Sequence, residues 1–312
     1  MARYLLYRLL DAIPTVFLVL SFVFVAMRIL PGDPALAALG PQTDPAQLAL
    51  FRERMGLNDP LWLQYLKFLW DAVRFDFGVS FLSNQPVSSL IARNLPHTIY
   101  LTLTSVVIGL ALGIPFGVYA ATRRNRPADS ALRLYSLLGY AIPDFYLAAI
   151  LLIVFALNLG WFPILGAGTG FWDGLHHIIL PALTLALLKS AFLGRLTRTS
   201  VLEVLGRDYV RTARAKGARE GRVIYRHALR NALLPLSTGI GISILATLSG
   251  SVAVELVFNR PGIGRLLIDA ISERDYPVIQ AGVLMFAFFV IFVNLAMEVV
   301  YVLIDPRIRM AS

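Results

Sequence analysis

The residues that could do chemistry in this chain are charges and hydroxyls set inside apolar sequence. Asp144 follows Pro143 in "GYAIPDFYL", and Lys189 interrupts "TLALLKSAFL". Gly239, Ser243, Thr247 and Ser251 recur every four residues, with Glu255 continuing the row. A charge in a membrane-spanning helix costs on the order of 2.5 to 3.5 kcal/mol by insertion scales, so each needs a reason. The chemistry on offer is passage of a ligand or proton, not bond-making. Asp144 reads either as a structural cap in the first turn of a segment begun by Pro143, or as a pathway residue. The small, hydroxyl-bearing row either packs helix on helix or lines a passage. Lys189 is expected to snorkel toward the cytoplasmic side, and Arg28 and Glu298 to do the same at run ends.

A second constellation is basic. "YVRTARAKGAREGRVIYRHALRNALLP", from Tyr209 to Pro235, holds seven Arg and Lys residues and a lone acid, Glu220. Arg207, Arg211 and Arg214 share one helix face, and Arg219, Arg222, Arg226 and Arg230 follow a similar spacing after Gly217. Val210 and Ala213 mark another face before the glycine, as Val223, Ile224 and Leu229 do after it. The pattern predicts two short amphipathic helices with Gly217 at the elbow, where positive φ costs least. Pro235 is expected at the entrance to the next apolar run. Attraction to anionic lipid, about 1 kcal/mol per basic residue, explains the charge. It explains neither the elbow nor the small Ala213, Ala215 and Ala218 around it. A short segment without interleaved aromatics is a poor nucleic-acid binder. Small residues at a bend suit a closely packed protein partner whose acids meet the arginines.

Other chemistry is thin. "GAGTGF", from Gly166, lacks the Lys-Ser/Thr ending of a phosphate loop, so no ATP site is expected in this chain. His176 and His177 are adjacent, not four apart, and no metal site is expected. There is no cysteine, and no Ser-His-Asp or HExxH arrangement, so a membrane enzyme is disfavoured.

These residues sit in elements of membrane length. The chain has 312 residues, 57% hydrophobic and only 15% charged, with a net charge of +9. Soluble domains are nearer a quarter charged. About 20 apolar residues cross the hydrocarbon core. Six such runs are present, roughly Leu9 to Leu30, Thr98 to Thr122, Leu132 to Leu159, Ile178 to Leu196, Leu236 to Phe258 and Ala281 to Ile304. The first is too long for a signal-peptide core and reads as an uncleaved span. Basic residues gather on one side: Arg3 and Arg8, Arg123, Arg124, Arg126 and Arg133, the stretch Arg195 to Arg230, and Arg307 and Arg309. Both termini and the basic stretch are therefore expected in the cytoplasm. The segment after the first span lies outside and contains "NDPLWLQYLKFLWDAVRFDFG". This predicts an amphipathic helix capped by Asn58 or Asp59, on the membrane surface or against the other outer loops.

The basic segment resembles the cytoplasmic EAA loop of ABC importer permeases. Against the pattern E-A-A-x-x-x-G this chain has Arg211, Thr212 and Ala213, then Gly217: it keeps the last Ala and the Gly and loses the Glu. "RTARAKG" is the form typical of the peptide and nickel permease subgroup. "RYLLYRLLDAIPT", "LPGDPA", "GLNDPLWLQYLKFL", "FDFGVS", "VFNRPGIGRLLIDAISERDYPVIQAG" and "DPRIR" also resemble, in order, the B-type permease of dipeptide and oligopeptide importers. The resemblance covers nearly the whole chain.

The resemblance implies an all-α polytopic protein of six transmembrane helices with the type-1 importer permease fold. Its parts are a first span (1–30), an outer segment (31–96), a five-helix core (97–305) with the coupling loop at 203–235, and a tail (306–312). It implies that Arg211, Thr212, Ala213, Lys216, Gly217, Ala218, Arg219 and Arg222 dock on an ATP-binding subunit. It also implies a related C-type permease, two ATPases carrying ATP and Mg, and an extracytoplasmic binding protein, in the bacterial inner membrane. Asp144, Ser243, Thr247, Ser251 and Glu255 are the candidate pathway residues. Short peptides lead as cargo, with glutathione and nickel as alternatives. The rival function is a self-sufficient proton-coupled carrier using Asp144 and Glu255.

Overall fold

The computed structural model describes residues 2–29, 33–40 and 42–304. The expected tail with Arg307 and Arg309, and the Leu30 to Gly32 part of "LPGDPA", lie outside the described residues. Among the described residues the chain is helical, with no strand beyond an isolated bridge between Val79 and Pro86. Its contacts divide it into two compact units, Met1–His97 with Pro261–Phe292, and Thr98–Arg260 with Val293–Ser312.

The first unit contains α1 (Ala2–Ile29), α2 (Pro34–Leu39), α3 (Pro45–Arg54) and α4 (Leu61–Val73). It also holds the start of α5 (Val87–Thr122), α12 (Ile263–Glu273) and the start of α13 (Tyr276–Ile304). α2 and α3 begin alike. The carboxylates of Asp33 and Asp44 accept the N–H groups of Ala35 and Ala46, and a proline opens each helix.

α4 forms where expected but without the expected cap. Its N-cap is Pro60, with no side-chain cap bond. Asp59 turns instead to Lys67 Nζ at 2.6 Å, and its carbonyl accepts from Gln64 Nε2. Trp62, Leu66 and Trp70 stay exposed as one stripe along the helix. Val23, Met27, Val87, Ile91 and Ile279 form the core of the unit. Arg28, at the end of α1, has partners within the unit. Its guanidinium bonds Gln64 Oε1 at 2.6 Å and lies 4.7 Å from the Phe24 ring centroid.

The second unit is built round α8 (Gly170–Leu205), against which α6 (Pro127–Ala141), α7 (Asp144–Leu151) and α11 (Arg230–Val257) pack. α5 approaches it through a glycine row. A Cβ on Gly113 would fall 2.8 Å from the Ser190 carbonyl, and one on Gly117 2.5 Å from the Gly194 carbonyl, so only glycine permits the approach. α7 runs on as a π-helical stretch, Leu152–Asn158. α9 (Asp208–Ala215) is separate, whereas α10 (Glu220–Arg222) continues through π-helical Val223–Leu229 into α11.

Among the described residues five helices have the length and apolarity to cross a membrane, and the remaining expected run is not a single helix. Leu132 to Leu159 is two helices bent by 104° between Ala141 and Asp144. Ile142 and Pro143 are extended at the join. Proline lacks an N–H and forces its predecessor out of helical geometry, so Pro143 ends α6 and starts α7. A second correction concerns the basic segment. Its second arm is not a separate short helix, because residues Glu220 to Val257 form one membrane-length helix. Pro235 therefore lies inside a helix instead of at an entrance, as membrane helices tolerate.

Candidate functional site

The first candidate site is the break between α6 and α7. It leaves Asp144 in the first turn of α7, the alternative in which the carboxylate also favours the local dipole. α11 makes room for this side chain. A Cβ on Gly250 would sit 2.6 Å from Asp144 Oδ2, so the carboxylate occupies the space that glycine leaves open. The other oxygen, Oδ1, faces Lys189 Nζ on α8 at 3.7 Å. Lys189 thus turns to an acid on a neighbouring helix instead of snorkelling. Neither group makes a shorter polar contact among the described residues.

A cavity of about 360 Å³ opens at this point, bordered by Tyr140, Pro143, Asp144, Lys189, Ile242 and Ser243 among others. Ser243 is 1% exposed and its hydroxyl has no hydrogen-bond partner among the described residues. That is unusual for a helical serine, which normally reaches a carbonyl one turn back. Thr247 and Ser251 do so, donating to Ser243 O and Leu248 O at 2.7 Å.

The remainder of the row faces inward. Thr247, Ser251 and Glu255 are fully buried within the unit. Glu255 accepts a 2.6 Å hydrogen bond from the Thr98 hydroxyl on α5. Next to it Arg260 is 2% exposed, and burial lowers its pKa while Glu255 and Tyr100 pull it back up. Of the four row members with polar side chains, Ser243 borders this cavity.

The second candidate is the elbow. Gly217 has φ +79°, the left-handed conformation expected of it. Arg211, Thr212, Lys216, Arg219 and Arg222 are exposed, and Ala213 and Ala218 half-buried. Val210 and Val223, one on each arm, are fully buried and tie both arms down. Arg214 spans the elbow to Glu220 with a 2.9 Å ion pair, and Arg207 and Arg211 pair with Glu203 and Asp208. Lys216, Arg219 and Arg222 make no ion pair among the described residues.

Two features escaped the sequence analysis. Asp129, fully buried, accepts from Arg198 on α8 at Nε and at Nη2 (2.9 Å), and from the Asn125 N–H at 2.9 Å. Arg195 likewise donates to the Tyr140 hydroxyl and lies over its ring. The detectable signal was Asp129 just inside a proline-opened helix. Its partner, 69 residues away, had none. His176 and His177 bond the Trp161 and Asp173 carbonyls, and no metal-competent cluster occurs among the described residues.

Long apolar helices with paired charge between them define a multi-pass α-helical membrane protein. Comparison supplies its kind. Residues 113–310 match the family described as binding-protein-dependent transport system inner membrane component, and residues 1–102 match the corresponding N-terminal family. The chain belongs to this family and is a permease subunit of a binding-protein-dependent ABC importer. It is 44% identical over 315 residues to the oligopeptide transport system permease protein AppB of Bacillus subtilis (strain 168), covering 99% of this chain and 100% of that one. It is 43% identical over 309 residues to the glutathione transport system permease protein GsiC of Escherichia coli (strain K12), covering 99% of both. A chain of the MetNI methionine ABC transporter, in inward-facing conformations, superposes with a TM-score of 0.58. At 17% identity over 69% of this chain and 96% of that one, it shows the shared fold alone. Family membership sets aside the self-sufficient proton-coupled carrier.

Proposed function

We propose that this chain is the B-type permease of an importer of short peptides, forming the passage with a related C-type permease. Two ATP-binding subunits, which hold ATP and Mg, drive it from the cytoplasm, and an extracytoplasmic binding protein delivers cargo. Both termini and the basic segment are cytoplasmic, in the inner membrane of a bacterium. Relatives named for oligopeptide and glutathione transport support peptide-like cargo over nickel.

The observation that carries the reading is the Gly217 elbow. A Cβ there would meet nothing within 4 Å, so packing inside this chain does not demand the glycine. What demands it is the left-handed backbone and the bare surface it presents. An ATPase entering at this point meets two alanines, a glycine and three cations that make no ion pair among the described residues. Burying those cations against acids gives orientation and register more than raw affinity.

Replacing Gly217 with valine tests this. A β-branched residue in the left-handed region costs about 1–2 kcal/mol and adds bulk at the contact. Gly217→Val should insert and pair with the second permease normally. It should lose co-purifying ATPase, or uncouple hydrolysis from binding-protein stimulation. Normal coupling in Gly217→Val, with failure in Arg222→Glu, would transfer the docking role from the elbow to the basic surface.

A further inference from the structure

The cavity at the α6–α7 break holds two opposite charges that are near each other but not joined. Asp144 Oδ1 and Lys189 Nζ stand 3.7 Å apart, with side chains 25% and 16% exposed. A pair serving only to hold helices together closes to hydrogen-bond distance, because a buried charge left short of partners costs several kcal/mol. Here each group keeps unused bonding capacity: an ammonium has three donors and a carboxylate about four acceptor positions. Ser243 also borders the cavity, with its hydroxyl enclosed behind the wall. Hydrocarbon could not satisfy either charge. Water or a polar ligand could.

We infer that this cavity is a binding site for a zwitterion, with Lys189 receiving a carboxylate and Asp144 an ammonium. Resting on the reading of the chain as a short-peptide permease, the inference assigns these residues to the two termini of the cargo. Arriving charges replace the internal pair: Lys189 donates to the incoming carboxylate as it leaves Asp144, and Asp144 accepts from the incoming ammonium. Without cargo the two groups neutralise each other, so the empty site exposes no net charge. Size agrees, since about 360 Å³ falls at the small end of the roughly 300–1,000 Å³ typical of small-ligand sites. Tyr140 and Ile242, each 55% exposed, offer apolar surface to side chains without selecting among them. Termini would be recognised and side chains tolerated.

The absence of cysteine permits a direct test. Ile242 and Ala246, one turn apart on α11, both border the cavity and are exposed. Ile242→Cys and, separately, Ala246→Cys serve as reporters in the complete transporter, labelled by a membrane-permeant maleimide. Dialanine should slow labelling, and its N-acetylated, C-amidated derivative should not. Asp144→Asn or Lys189→Met should weaken protection about tenfold, as loss of a charge-assisted hydrogen bond does. The exchange Asp144→Lys with Lys189→Asp should recover much of it, since a zwitterion can turn round. Equal protection by the blocked derivative, or unaltered protection in the neutralised variants, overturns the inference. So does the absence of protection at both reporters. The peptide-importer reading fails separately, through lack of ATP-driven uptake of short peptides by a wild-type complex whose labelling dialanine still slows.

Discussion

Two ion pairs tie the helices of the second unit to α8, and they are built oppositely. Asp129 has no exposed side-chain surface and receives Arg198 through two nitrogens and a backbone N–H from Asn125, with Arg133 at 3.8 Å. Asp144 meets Lys189 through one loose contact, and both border open space. The planar guanidinium satisfies a carboxylate from a fixed direction, whereas an ammonium on a flexible stem turns to whatever acceptor is nearest. The first arrangement secures the α5–α6 turn to α8. The second leaves its charges exchangeable. Equal counts of charge inside a membrane protein thus carry different meanings, and the geometry round the acid separates them.

The largest effect expected from this contrast comes from Asp129→Ala. It leaves Arg198 without its main acceptor at a mostly buried position, at a cost of about 3 kcal/mol or more. The solubilised protein should lose thermal stability and yield little assembled complex. A Tm equal to wild type would mean that the pair is ornamental and the contrast false. Next comes Gly250→Ala, whose methyl would fall 2.6 Å from Asp144 Oδ2. The carboxylate must move, so transport should fall several-fold while stability drops by only about 1–2 kcal/mol. If transport is unaffected, the position of Asp144 does not matter to function. The smallest stability effect belongs to Lys189→Met, under about 1 kcal/mol, because the contact it loses is long and both side chains are part-exposed. A loss as large as that of Asp129→Ala would place both pairs in one structural class.

Sequence reasoning reached the spans and the elbow more readily than it reached these pairs. Runs such as Leu10–Ile29 and Tyr276–Ile304 are legible because transfer to hydrocarbon depends on composition over a window, which a sequence displays directly. Gly217 is legible because left-handed backbone favours one residue type. Pro143 marked the break as an alternative, but its 104° bend required the helices packed on either side. Asp144 and Lys189 lie 45 positions apart, and only the packing of α7 on α8 brings them together. The snorkelling expected of Lys189 assumed a helix facing lipid, and α8 is mostly enclosed instead. Pro235 misled for a different reason. A missing N–H breaks isolated helices, yet neighbouring helices can sustain one here.

The uninterrupted helix from Glu220 to Val257 has a mechanical consequence. Its 38 residues, with the π-helical Val223–Leu229 and Pro235 inside, extend at most roughly 57 Å. Glu220 stands three positions beyond the elbow, and Ile242, Ser243 and Ala246 lie along the same helix at most about 33–39 Å further on. With the helix moving as one body, a rocking of about 5° at its Glu220 end would sweep the cavity wall by roughly 3 Å, simple leverage over the length that helical rise sets. That travel is comparable to one hydrogen bond. Such a movement would bring the wall within a bond of Asp144 and Lys189 or draw it away, with no relay of side chains in between.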